Sequence, residues 1–570
     1  MSEILVLILR RLRAPIITVI AVYAIAVFGL VLMPGVDPEG RPWRMSLFDA
    51  FYVMSYTATT IGFGEVPHPF SYAQRLWMTF SIYLTVIGWA YMLGSIFGLA
   101  RQPAFRVAVA RHRFEGRVRR LTDPFFIVCG YGQSGRRLVS ALDHIGFATV
   151  VVEADPDRAR AHMVLDTRQT SSLLIADARA PDVLEAAGIR MKNCAGLVTL
   201  TSGDAINEAI AIGARALSRD VPVLARLKSQ GALETLDTVG DVIAVNPFET
   251  FAVNFGMALT QPDVLRLEDW LSGVPDEPPP RRIEAPRGHW VIAGYGRFGH
   301  SIAGALEAAG LGCKAIDIDP AQCGEEGILG SALAEEVLRK AGIEEACGLV
   351  AGTDVDANNL AIVNNARRLK RKLFVVIRQN QVGSRSLIEA ARADMEFVQS
   401  VVMTNESVQL LTTPLLNRFL MLARRQSNAW AVGVAGRLRD AIGDLVPHTW
   451  AVTCDTALLG ARFALLEKPE PPLTLMQLLA DPDDRLRRMK VVPLLLLTKG
   501  RDLLLPEEHA PLHPGDRILF AGEQGVEGLQ RRTLTDDGVI EYLRTGHEPP
   551  RTWLGRLLVG GGRAPGAKAS

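Results

Sequence analysis

Three short glycine-bearing runs hold the residues whose types and spacing could do chemistry. Two are of one kind, Gly130-Tyr131-Gly132-Gln133-Ser134-Gly135 and Gly294-Tyr295-Gly296-Arg297-Phe298-Gly299. Each follows an apolar run and is followed, 18 residues after its last glycine, by an acid, Glu153 or Asp317. Glycines at this spacing let a backbone approach a pyrophosphate at a helix N-terminus, and the acid can accept ribose hydroxyls. Asp155 and Asp177 stand where they could join the first such site. The third run is Thr60-Ile61-Gly62-Phe63-Gly64-Glu65. A cation crossing a membrane must exchange its hydration shell for other oxygens, and a row of backbone carbonyls can supply them if alternate residues tolerate unusual dihedrals. Gly62 and Gly64 alternate in that way, and the Thr60 hydroxyl extends the row, so a cation would sit at Thr60, Ile61, Gly62 and Phe63.

Such a row is allowed at membrane depth only where it lines a protected aqueous path, which requires spans on either side and several chains around one axis. The spans are present. Ala14–Met33 holds no charged residue over 20 positions and Trp77–Ala100 none over 24, each long enough to cross a bilayer as a helix. No small-residue cleavage site follows Met33, so the first run reads as a retained span. Arg10, Arg11 and Arg13 precede it, and Arg101, Arg106, Arg111, Arg113, Arg117, Arg119 and Arg120 follow the second. Both flanks are therefore cytoplasmic, with both termini inside. The arginine stretch has one acid, Glu115, and no aromatic interleaving, so its expected partner is anionic lipid and not nucleic acid. Gly88, Gly94 and Gly98 interrupt the second span. They fit either close packing on the first span or, at Gly88 or Gly94, a gating hinge.

The two phosphate-type loops belong to an internal repeat. An offset of 164 aligns them and also Leu142 with Leu306 and Asp155 with Asp319. Further on the offset falls to 152, which pairs Asp204 with Asp356 and Asn207 with Asn359. The second copy has thus lost about ten residues between its second and third strands, counted from those offsets. β-branched runs alternate with helical stretches in both copies, so the expected fold is α/β: two tandem Rossmann-like, doubly wound parallel-sheet domains after an α-helical two-span pore module. The expected boundaries are a pore module with a re-entrant loop at 1–101, a basic linker at 102–123, a first Rossmann domain at 124–275 and a Pro-rich linker at 276–288. A second Rossmann domain at 289–430, a small α+β lobe at 431–525 and a partly disordered tail at 526–570 follow. Asp204, Asn207, Asp356 and Asn359 fall near helix starts and read as caps.

Composition narrows the classes. At 570 residues and 48% apolar content the chain can build several cores, and 62 basic against 61 acidic residues give no electrostatic case for nucleic acid. The six cysteines form no C-x-x-C pair or metal spacing and read as reduced thiols. No catalytic set emerges, so an enzyme is not expected.

Residues 14–100 resemble the two-span pore module of potassium channels, whose signature is T-V-G-Y-G-D. Here Ile61, Phe63 and Glu65 replace Val, Tyr and Asp, and Phe63 lacks the hydroxyl that ties the filter to an aromatic cuff. Ser55-Tyr56 replaces the usual Trp pair. The two Rossmann-like units resemble RCK domains, regulators of K⁺ conductance. In that family the third strand ends in a Gly-Asp pair, kept as Asp177 and replaced by Ser331 in the second copy. Val245–Leu271 and Val401–Ala429 fall where the family has crossover helices, and Leu512–Ile518 resembles its C-terminal lobe. The resemblance implies a homotetrameric K⁺ channel of the bacterial inner membrane with an eight-RCK ring, gated by NAD(H) or an adenine nucleotide. Ligand binding would pull the second spans through the Phe105–Thr122 linker. Two alternatives stay open: a membrane-anchored NAD(P)-dependent oxidoreductase, and a less selective cation channel whose ring senses a divalent ion through Asp155, Asp177 and Asp204.

Overall fold

The structure, a computed structural model, describes residues 3–162, 169, 171–323, 326–459 and 473–547. They form two compact units that divide after Leu121.

In the first unit two helices, α1 (Glu3–Leu32) and α3 (Tyr72–Arg101), are long and apolar enough to cross a membrane. Between them lies a 12-residue helix, α2 (Leu47–Ala58). α4 (Pro103–Val118) follows and carries most of the arginine stretch. The starts are written in the sequence. The Ser46 hydroxyl accepts the Asp49 N–H at 3.1 Å, and Ser71 and Gln74 close a reciprocal capping box. α2 packs through Ala50, Val53, Met54 and Tyr56 onto Ala26, Val27 and Leu30 of α1. The Trp77 indole donates to the Ala26 carbonyl at 3.0 Å and joins the two long helices. Gly88 packs on Val22 of α1, Gly94 has open space around it, and α3 runs through both without a break.

The second unit holds the repeat. Each copy is a six-stranded all-parallel sheet whose strands, counted within the copy, lie in the order 3-2-1-4-5-6. The first comprises Phe125–Cys129, Ala148–Glu153, Ser171–Ile175, Cys194–Thr199, Val223–Arg226 and Val242–Val245. The second comprises Trp290–Ala293, Cys313–Asp317, Ile328–Leu329, Gly348–Ala351, Phe374–Gln379 and Met395–Val398. Its deletion shows as a one-turn helix, Pro320–Cys323, where the first copy has Pro156–His162. The remainder of that segment in the first copy lies outside the described residues.

The helices after each sixth strand are exchanged. Pro247–Thr260, leaving the first sheet, packs on Arg297–Ala308 of the second domain, and Gln399–Thr412 packs on Gln133–His144 of the first. Phe255 meets Trp290 edge-on at 5.0 Å, and Phe248 and Phe251 pack among Phe298 and Phe397. The Pro-rich stretch between the domains is tied down: Ala285 is buried with its N–H on Ala258, and Arg282 pairs with Asp263 at 2.8 Å.

The C-terminal lobe is a four-stranded antiparallel sheet of His448–Thr453, Arg517–Gly522, Val491–Thr498 and Arg501–Leu504. Two helices beyond residue 525, Val526–Thr535 and Asp537–Thr545, complete its core through Val526, Leu534 and Ile540. Of the tail expected to be partly disordered, residues 548–570 lie outside the described residues.

Between the helices that follow the exchanged ones, Pro262–Leu271 and Pro414–Ala423, Arg424 forms a two-pronged pair with Glu268 at 2.5 and 2.9 Å. Burial and the Glu268 charge push the neighbouring Asp269 carboxyl up to about 7, and burial, the largest cause, raises Glu406 beside them. An acid raised on folding stabilises the fold fully below its unfolded value of about 4 and loses that contribution as pH rises through 7. Asp269→Asn should therefore flatten the fall in thermal stability between pH 5 and pH 8 and raise the melting temperature at pH 8, as thermal unfolding monitored by tryptophan fluorescence would measure.

Candidate functional sites

The loop after α2 has the alternation that its glycines suggest, extended by one residue. Gly62 and Gly64 sit at φ +68° and +94°, and Thr60, without glycine's freedom, sits at +62°. The N–H groups of Thr59, Thr60, Ile61 and Gly62 all turn back onto the last turn of α2. Among the described residues no hydrogen bond reaches the carbonyl oxygens of Thr60–Phe63. Ile61 and Phe63 are exposed, and a side chain built at Gly62 or Gly64 would meet nothing within 4 Å. The loop is thus a row of free acceptors held from one side.

Two ties hold it. The hydroxyl absent from Phe63 comes from Tyr56, which donates to the Gly64 carbonyl at 2.5 Å. Tyr56 also meets Phe63 edge-on at 5.5 Å, and Tyr52 stacks on Phe63 at 6.4 Å. Aromatic residues of α2 therefore form a cuff without tryptophan. Glu65 then accepts Arg75 Nε at 2.8 Å and the Phe70 N–H at 2.8 Å, which anchors the loop's exit to α3.

The two Gly-rich loops take one geometry. Gly130 has φ +99° and Gly294 +92°, and a Cβ on either would meet the backbone after the fourth strand at 2.9 Å. A Cβ on Gly135 would sit 2.0 Å from the Gly130 carbonyl, and one on Gly299 2.4 Å from that of Gly294. Gly132 and Gly296 face open space at the starts of their helices. The acids cradle the loops. Glu153 accepts the Tyr131 N–H at 2.5 Å and the Asp155 N–H at 2.8 Å, and Asp317 accepts those of Tyr295 and Asp319 at 2.6 and 2.9 Å. A carboxylate has about four acceptor positions, so two on each acid remain for a ligand.

Gly130, Gly132, Glu153, Asp155 and Asp177 line one cavity of 300 Å³. Gly294, Gly296, Asp317 and Asp319 line another of 520 Å³, with Arg297, Phe248 and Arg378. Tyr131, Gln133, Ser134 and Gly135 are outside the lining: the Tyr131 ring is in the core, and Gln133–Gly135 form the first helical turn behind the loop. The Arg179 guanidinium beside Asp177 holds its carboxyl below the usual range.

The helix-start polar residues are not caps. Buried Asn207 takes the Thr201 N–H and hydroxyl and donates to the carbonyls of Thr201 and Arg226. Asn359 repeats all four bonds with Thr353 and Arg378. Asp204 accepts the Lys228 N–H, and Asp356 those of Asn380 and Gln381. The cap positions themselves are Gly203 and Val355. These residues lock the fourth strand's exit to the fifth, fixing the cavity wall. Among the described residues no three His, Cys, Asp or Glu side chains gather as a metal site.

In sequence, residues 16–103 match the ion channel family. Residues 126–247 and 290–398 each match the TrkA-N domain. Potassium channel protein 1 of Methanocaldococcus jannaschii is 24% identical over 218 residues, 38% of this chain and 64% of that protein. The voltage-gated potassium channel Kch of Escherichia coli is 25% identical over 223 residues, 38% of this chain and 50% of that one. The chain spans between 32% and 64% of the length of the curated relatives it matches. Among solved structures, the GsuK channel bound to NAD aligns over 94% of this chain and 100% of its own, with 17% identity and a TM-score of 0.46.

Tyr56→Phe removes the donor to the Gly64 carbonyl and nothing else. At about 1 kcal/mol for such a bond, backbone amides of residues 60–65 should exchange hydrogen roughly fivefold faster, read by exchange mass spectrometry of the full chain.

Proposed function

We propose that this chain, which joins an ion-channel domain to two TrkA-N domains, is the subunit of a homotetrameric, potassium-selective channel of the bacterial inner membrane. Its gating ligand is a nucleotide bound in the cytoplasmic ring. The single observation that carries the reading is the loop at Thr60–Gly64, where φ is positive at alternate residues and the carbonyls of Thr60–Phe63 are left free. One chain offers one row, and a cation stripped of water needs oxygens on all sides, so four chains around an axis supply the coordination. The arginines that follow α3 support a cytoplasmic location for both termini and the Rossmann ring, next to anionic lipid. The ligand reading rests on the loop geometry, the free positions on Glu153 and Asp317, and the TrkA-N match. Neither acid suits a 2′-phosphate, which favours NAD(H) or an adenine nucleotide over NADP. Gly88 or Gly94 serves as the hinge of α3.

Purified protein in planar bilayers, with K⁺ on one side and Na⁺ on the other, should reverse near the K⁺ equilibrium potential. A reversal near zero would reject potassium selectivity. Gly62→Ala, at φ +68°, places a Cβ in a strained conformation costing about 1 kcal/mol and should lower conductance at least tenfold in an assembled channel. An undiminished current would reject the filter.

Gly130→Asp and Gly294→Asp each force a Cβ against backbone at 2.9 Å at a positive φ and so displace the loop that lines one cavity. The double variant should lose any response to NADH and ATP applied to the cytoplasmic face. A surviving response would reject the Rossmann cavities as the sensor.

A further inference from the structure

The last element of the first unit is α4, after which the chain passes into the second unit at Thr122. At Gln102 the backbone turns to φ −66° and ψ 127° and Pro103 restarts the helix, so α4 does not prolong α3. It packs on both α1 and α3. It therefore stays beside the ends of the two helices that are long and apolar enough to cross a membrane.

The charges of α4 sort onto different faces. Glu115, its single acid, is answered by Arg111 at 3.2 Å and by Arg119 at 3.8 Å. Arg106, Arg113 and Arg117 are exposed and have no carboxylate partner among the described residues. At about 100° per residue these three fall within roughly 40° of one another, in a row about 16 Å long. Arg113 and Arg117 stand one turn apart, where like charges destabilise a helix. The helix thus carries a stripe of one sign that its own sequence leaves unrelieved, and an external anion would relieve it.

A second feature lies beside the stripe. Val107, Phe114 and Val118 share the adjoining face at helical spacing. Phe114 and Val118 are buried, whereas Val107 is 64% exposed. The apolar face is closed at one end and open at the other. Basic residues along the edge of an apolar face are the pattern of a helix lying in the plane of a membrane surface, its apolar side at the boundary between headgroups and acyl chains.

We propose that the face of α4 carrying Arg106, Arg113 and Arg117 is a docking surface for the phosphodiester headgroups of anionic phospholipid, with Val107 seated at the headgroup boundary. The proposal rests on the membrane reading above and adds a defined footprint and a regulation. Because α4 follows α3 directly, lipid charge that fixes α4 on the surface also biases the end of α3. Anionic lipid is then a ligand of the channel as well as its solvent.

Backbone amide exchange of the full chain tests this in nanodiscs of phosphatidylcholine alone and of an equimolar mixture with phosphatidylglycerol. In wild type the amides of α4 should exchange roughly fivefold slower in the mixture. Arg113→Gln with Arg117→Gln should cut that difference below about twofold, and Arg113→Lys with Arg117→Lys should restore it, since the attraction is one of charge. Arg111→Gln with Arg119→Gln removes equal charge from the face paired with Glu115 and should keep the difference. Equal loss in the two glutamine variants, or no lipid dependence in wild type, would overturn the docking surface. So would equal slowing by free glycerol phosphate added to phosphatidylcholine discs, which would assign the stripe to a soluble anion. In planar bilayers of the same two compositions, wild-type open probability should differ at least about twofold, and Arg113→Gln with Arg117→Gln should remove the difference. Open probability indifferent to lipid, with exchange protection intact, would overturn the regulation. Absence of current in both bilayers would reject the channel reading and the regulation with it, while the exchange result decides the docking surface independently.

Discussion

The second unit depends on the exchange of the helices that leave each sheet. One face of the second sheet is covered by Phe248, Phe251 and Phe255, which belong to the first half of the repeat, and Met403 and Leu411 of the second half cover Phe126 and Val128 of the first. Neither half closes its own core. Truncating one of these buried aromatics would cost about 3–5 kcal/mol, comparable to the stability of a small domain. The two Rossmann halves are therefore one folding body with a fixed seam. The C-terminal lobe adds Leu494, Leu495 and Leu519 to the same apolar cluster as Trp290 and Phe419. Internal motion in such a body is confined to small displacements at the seam, because packed cores shift between discrete arrangements and do not deform freely.

The pore loop is built on the opposite principle. Its backbone is fixed by hydrogen bonds and its apolar side chains, Ile61 and Phe63, are left exposed in a single chain. The N–H groups of Thr59–Gly62 go back to α2, and the Tyr56 hydroxyl takes the Gly64 carbonyl. What remains is a run of acceptors with no donor. In hydrocarbon such a run is prohibitive, and in contact with a cation it is favourable. Rigidity here comes from an aromatic cuff and the Glu65–Arg75 pair, and both are local enough to survive without the second unit.

Much of this was legible in the sequence. The repeat offset gave two sheets, charge-free runs gave two helices long and apolar enough to cross a membrane, and alternating Gly62 and Gly64 gave the loop's dihedrals. What the sequence hid were the side chains that act at a distance. The missing hydroxyl at position 63 pointed to a weakened filter tie, yet Tyr56, one α2 turn before the loop, supplies it to a neighbouring carbonyl. Asn207 and Asn359 looked like caps because they fall near helix starts; their four bonds run to strand exits that only the fold brings near. Arg297 held one unspecified position inside a glycine motif and Arg378 ended an ordinary strand, yet both guanidiniums lie over Phe248, a ring that the other half of the repeat supplies. Their meaning depends on helix exchange, which no local pattern encodes.

The asymmetry of the two cavities follows from the same logic. Loss of residues between the second and third strands shortens the second copy's helix to one turn, and its cavity is 520 Å³ against 300 Å³. A cavity whose acids and bases already pair gains little more from a charged ligand, since the ligand must first displace those pairs. In the second cavity Arg378 pairs with Asp354 at 2.8 Å, while Arg297 has no carboxylate partner among the described residues and so keeps more of its electrostatic energy for whatever anion arrives. Energy that is unspent in the empty state is the energy available to shift a conformational equilibrium. By this argument the copy that departs further from the fingerprint, and not the one that keeps it, is the better placed to couple a bound anion to its own conformation.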